Sequence, residues 1–149
     1  MIGQWFRKIK DAIRLSKAFS AAGHRRYDEA LRILDSLGYD GNRLYDTKLL
    51  RGALYSLLGK HDLAVAELLS AAQQIKRSNR LSKAEANYLV AYAVQYWEAS
   101  AEQIGLHSVT KETAESLKVD NPIEANKVPR YLRQRFPLTF PFVGVDVIN

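Results

Sequence analysis

The stretch Lys60-His61-Asp62-Leu63-Ala64-Val65-Ala66-Glu67-Leu68-Leu69-Ser70-Ala71 repeats, 34 residues on, the pattern of Arg26-Tyr27-Asp28-Glu29-Ala30-Leu31-Arg32-Ile33-Leu34-Asp35-Ser36-Leu37. Asp28/Asp62, Ala30/Ala64, Leu34/Leu68 and Ser36/Ser70 are identical at that offset, and so is Leu15/Leu49 upstream. A fixed period of this length marks stacked helix–turn–helix units, each too small to bury its own apolar face and completed by its neighbours. The pattern predicts an all-α chain of antiparallel helical hairpins.

Working outward from the repeat, five helices are predicted. Residues 4–22 form an amphipathic first helix, with Trp5, Ile9, Ala12, Ile13, Ser16 and Phe19 at three- and four-residue steps and Arg7, Lys8, Lys10, Arg14 and Lys17 around them. Its place in the first repeat makes it a core helix, with an anionic membrane surface or a targeting role as the other readings. Gly23 ends it, and a second helix over 26–37 stops at the chain breaks Gly38 and Gly41. Helices over 44–58 and 61–76 flank Gly59, and a longer one follows over 81–103. Between Tyr88 and Trp97 this fifth helix is apolar nearly all round, so it needs cover on most sides.

After it the regularity fades. Thr110 is placed to cap a short helix to about Val119, Pro122 to open another turn, and Pro129 a third that ends before Phe136-Pro137. The tail from Phe136 to Ile148 is apolar and held extended by Pro137 and Pro141. Such a surface is predicted to pack along the fifth helix, with a partner or dimer contact as the alternative.

The chain has 149 residues, 47% of them hydrophobic, which suits one folded domain over 1–149. It has no cysteine, so a disulfide framework, a thiolate nucleophile and a zinc–thiolate site are excluded. A cytoplasmic location is the expectation from that usage. No apolar run approaches the roughly 20 residues that span a bilayer. The net charge of +6 is concentrated at the N-terminal end, where residues 1–44 carry nine basic and five acidic side chains. A solvated basic surface explains it as well as an anionic partner does.

Gly52, Tyr55, Gly59, Ala64, Leu68 and Ala71 stand in the order small, aromatic, turn glycine, alanine, bulky, alanine. In this the chain resembles the tetratricopeptide repeat. Two hairpins fit, over about 11–44 and 45–78, the first with Arg25 in place of the turn glycine and Ala21 in place of the aromatic. A divergent third unit covers about 79–119, and 120–149 is irregular. The resemblance implies a short right-handed superhelix with the C-terminal tail packed on it. It also implies that the inner helices line a protein-binding groove.

Carried over position by position, the groove residues are Leu15, Phe19, Leu49, Ala53, Ser56, Asn87 and Val90, with Lys17, Lys48, Arg51 and Lys83 beside them to pair with an acidic segment. Interhelical packing is the alternative role for the apolar members.

No motif for chemistry competes with this reading. His24, His61 and His107 lack a second ligand at helical spacing, so no metal or cofactor is expected. Asp28-Glu29 and Glu112/Glu115 suit helix N-termini better than a catalytic pair. The expected function is non-enzymatic binding of a protein or peptide. A narrower version is one-to-one capture, as by an immunity protein or a secretion chaperone. The rival is nucleic-acid binding through Lys76, Arg77, Arg80 and Lys83, or through Lys127, Arg130, Arg133 and Arg135 with Tyr131 and Phe136 as stacking rings.

Overall fold

The computed structural model describes residues 2–106, 109–139 and 144–149. It is mostly helical: α1 Ile2–Gly23, α2 Tyr27–Asp35, α3 Tyr39–Asn42, α4 Tyr45–Leu57, α5 His61–Arg77, α6 Lys83–Gln103, α7 Lys111–Ser116 and α8 Arg130–Arg135. A 3-10 turn covers Ala125–Lys127. Strands β1 Ile123–Glu124 and β2 Val147–Ile148 pair in parallel, Ile123 opposite Val147. Two expectations change here. Gly38 and Gly41 flank and enter a one-turn helix, α3, instead of a plain break. Pro122 opens no helix and leads into β1.

The hairpin turns show why the period is 34. Gly59 sits at φ +77, and Arg25, at the equivalent place, adopts φ 61. In each turn the chain folds back with the same bond, Lys60 N to Tyr55 O at 2.8 Å and Arg26 N to Ala21 O at 2.9 Å. Gly105 at φ 68, with Leu106 N donating to Ala101 O at 2.9 Å, repeats the device after α6. These are Schellman-type ends, which need a left-handed residue just past the helix. Glycine takes that conformation freely, whereas a side chain such as that of Arg25 is strained in it.

Close approach is likewise written in residue size. A Cβ on Gly52 would lie 2.5 Å from Leu68 Cγ, so α4 and α5 pack by setting a leucine into the glycine's empty place. α6 starts on a reciprocal cap: Ser82 Oγ accepts from Glu85 N at 3.1 Å and Ser82 N donates to Glu85 Oε1 at 3.0 Å.

Two apolar clusters flank α4. Leu50 and Leu54 face α1 and α2, meeting Leu15, Ala18, Ala30 and Leu34. Leu49 and Ala53 face the larger cluster, built from α5, α6 and the C-terminal segment. Phe19 and Tyr55 pack against both. On α6, every residue from Tyr88 to Gln95 is buried, so the all-round apolar helix is covered all round. Its cover is α4, α5 and the segment from Ile123 to Leu138.

One expectation for α1 is reversed. Its buried residues are Leu15, Ala18 and Ala21. Trp5, Ile9 and Ile13 are exposed, on the opposite face. α2 has only nine residues and packs back along the C-terminal part of α1, so nothing reaches the stripe.

Candidate functional site

The predicted groove row runs along α1, α4 and α6, and the chain's own C-terminal segment lies over it. Phe136, fully buried, stands edge-on to Phe19 at 5.2 Å and to Tyr92 at 5.1 Å. Leu49, Ala53 and Val90 share its core cluster with Ile123, Val128 and Leu132. Leu49 and Val90 are therefore packing positions, inaccessible to a partner unless the segment is displaced, whereas Phe19 and Ala53 also line a cleft at its edge. Leu15 is buried too, against the first hairpin.

The segment is held by side-chain amides that mimic strand pairing. Asn87 Nδ2 donates to Asp120 O at 2.8 Å while its Oδ1 accepts from Asp120 N at 2.7 Å. Two turns further along α6, Gln95 Nε2 donates to Pro137 O at 3.0 Å and its Oε1 accepts from Thr139 N at 3.2 Å. Between them Tyr88 donates its hydroxyl to Phe136 O at 2.8 Å. The predicted partner of Asn87 is thus this chain. Gln95 and Tyr88 were not legible as clasps, because an amide or phenol in an apolar run carries no sign of what it bonds. Residues 140–143, including Pro141 of the apolar tail, lie outside the described residues.

Two of the four basic members of the row, Arg51 and Lys48, are engaged within the fold. Arg51 is buried, donates to Asn42 Oδ1 and lies 3.7 Å from Glu67, so it joins α3, α4 and α5. Lys48 Nζ donates to Ser70 Oγ at 2.8 Å. Lys83 is exposed and 4.0 Å from Asp120, a contact worth little in water. Lys17 is exposed on α1. Ser56 is half-buried in a hydrogen-bond chain: its Oγ accepts from Ser100 Oγ at 2.7 Å, and Ser100 in turn meets His61 Nδ1 at 2.8 Å. Through this contact His61 ties the start of α5 to α6. Ser100 is fully buried, so the His–Ser contact offers no nucleophile to a substrate.

A cleft of about 410 Å³ opens beside the segment, between the C-terminal end of α1, α4, α6 and α8. Its described lining includes Tyr27, Tyr92, Tyr96, Tyr131, Gln134 and Arg135. Tyr131 is 59% exposed at its rim, and the Arg135 guanidinium stacks 4.8 Å from the Phe19 ring centre. Burial keeps Tyr92 protonated far into the alkaline range. Next to this region burial pushes Tyr45 up to about 12, helped by the nearby Asp46 carboxylate. Asp46 itself is raised by burial, with backbone hydrogen bonds and then Arg135 opposing the shift.

The alternative basic surfaces fare differently. Phe136 is withdrawn into the core and cannot stack on a base. Lys127 is paired with Glu124 at 2.7 Å and Arg133 Nε donates to Val128 O at 3.2 Å. Lys76 donates to Glu115 O, and burial lowers its ammonium below the usual lysine range. Among the described residues no group of three His, Asp or Glu side chains could hold a metal, and no helix is long and apolar enough to cross a membrane. His107 lies outside the described residues. Comparison with protein-family models, curated proteins and solved structures finds no match to this chain.

Proposed function

We infer that the chain is a non-enzymatic protein-interaction module, tetratricopeptide-like in its two hairpins, that takes a segment of a partner protein at the tyrosine-lined cleft. The observation that carries the reading is the lining itself. Four tyrosines and one arginine converge on a cleft open to solvent, and these are residue types enriched at the centre of protein interfaces. Tyrosine offers wide contact area and a hydroxyl for few rotatable bonds. Arg135, already held against Phe19, supplies a fixed cation for an acidic partner residue. The reading keeps Phe19 and Ala53 from the row of inner-helix residues and moves the rest of the contact to the edge of the segment that covers it.

The test is capture of partners from native extract by the wild-type chain and by a Tyr131→Ala/Arg135→Glu variant, with mass spectrometry of what is retained. Tyr131 is exposed, and an unchanged circular dichroism spectrum is the check that replacing Arg135, which packs on Phe19 and acts on Asp46, leaves the fold intact. A specific protein held by the wild type is expected to be lost, since truncating an interface anchor costs about 2 kcal/mol or more. The same protein retained equally by both overturns the cleft as the contact.

A further inference from the structure

We propose that the N-terminal half of α1 seats this protein on an anionic lipid surface. Ile2, Trp5, Phe6, Ile9 and Ile13 recur at helical steps and form one apolar stripe. Trp5 is 61% and Phe6 54% exposed, the two rings meeting edge-on at 5.4 Å. At 3.6 residues per turn this stripe lies about half a turn from the face that α1 buries through Leu15, Ala18 and Ala21. The helix cannot roll to hide it. Asp11 Oδ1 accepts from Gly38 N at 3.2 Å, and Arg14 donates to Ser36 O at 2.8 Å, which pins the polar face to the α2–α3 corner.

Charge selects the occupant. On the same wheel Lys8 borders the stripe on one side, and Lys10 and Lys17 border it on the other. Arg7 and Arg14 stand further round. Asp11, the one carboxylate within α1, is turned to the body. A helix lying in the membrane interface has this cross-section: apolar residues reach the acyl boundary while lysine stems run up the flanks to the phosphate level. Trp5 suits that same depth. A second copy of the stripe suits it poorly. Parallel or antiparallel, it would set lysine flank against lysine flank with no carboxylate between them. The stripe lies in the N-terminal half of α1, whereas the tyrosine cleft meets α1 only at Phe19, Ser20, Ala22 and Gly23, so the proposal does not depend on that reading.

The experiment is binding of the full chain to phosphatidylcholine vesicles with and without phosphatidylserine, read by co-sedimentation and by tryptophan fluorescence. Trp97 is buried, so a blue shift reports Trp5. The chain is expected to bind the anionic vesicles with a blue shift, to leave the neutral ones largely free, and to be released by added salt. Ile9→Asp/Ile13→Asp and, separately, Lys8→Gln/Lys10→Gln are each expected to weaken binding at least about tenfold. Both pairs are exposed, and an unchanged urea midpoint verifies the fold. Equal binding to both vesicle types, or anionic binding that survives either double variant, overturns the proposal. So does a wild type that leaves both vesicles untouched. In that case light scattering that shows a dimer broken by Ile9→Asp/Ile13→Asp assigns the stripe to a second copy.

Discussion

α1 and α6 are nearly equal in length, 22 and 21 residues, and opposite in surroundings. α6 is enclosed by α4, α5 and the C-terminal segment, so eight consecutive residues from Tyr88 to Gln95 are buried. α1 has one close companion, the shorter α2, and leaves a row of large apolar side chains in solvent. A sequence pattern states that a helix has an apolar face. Whether that face is core depends on how many neighbours the rest of the chain provides. In α1 the sparse stripe of alanines with Leu15 does the packing, and the conspicuous stripe of Trp5, Ile9 and Ile13 does not.

The sharpest way to break this contrast is to truncate one aromatic ring on each side. Phe136→Ala, which empties the space between Phe19 and Tyr92, is expected to lower stability by about 3–5 kcal/mol in urea denaturation. Phe6→Ala on the outer stripe is expected to stay within about 0.5 kcal/mol. Equal losses would mean that the stripe is covered. Gly52→Ala acts on the same enclosed half as Phe136, by pressing a Cβ onto Leu68. A loss of about 1–3 kcal/mol is expected, and a neutral result would show that α4 and α5 stand further apart.

Within the first hairpin the effect should have the other sign. Arg25 carries the left-handed conformation that Gly59 takes freely, so Arg25→Gly is expected to raise stability by up to about 1 kcal/mol. A loss would place Arg25's side chain in a contact that outweighs its backbone strain.

The last effect concerns pH. Tyr45 ionises near 12 in the folded protein and near 10.0 when unfolded. Below pH 10 both states hold the proton. As pH rises from 10 to 12 the unfolded state sheds it first, so stability falls over that window. The urea midpoint is expected to drop there, and to drop less in Tyr45→Phe.

Much of this architecture is legible in the residues. The turn at Gly59, the start of α5 and the identity of Arg25 as its counterpart follow from the 34-residue offset, because turn geometry constrains residue type. The enclosure of α6 follows from its composition, since so many apolar groups need cover. The binding row was not legible in the same way. Leu49, Ala53 and Val90 have the spacing of a groove and also that of a core, and only the position of Phe136, more than 40 residues downstream, decides between them. Asn87 and Gln95 hold backbone atoms 33 and 42 residues away, contacts that leave no local pattern. Arg51 reads as a free cation until Asn42 and Glu67 are brought to it.

Amide hydrogen exchange resolved along the chain tests the contrast between the two helices most directly. Stability against local opening is set by the apolar contacts and covered hydrogen bonds of each element. Residues 88–95 of α6 are expected to exchange only with global unfolding, and residues 5–10 of α1 orders of magnitude faster, with Phe136→Ala accelerating α6 and leaving 5–10 of α1 as they were. Protection of 5–10 equal to that of 88–95 in the isolated chain, or an α6 indifferent to Phe136→Ala, would contradict the account.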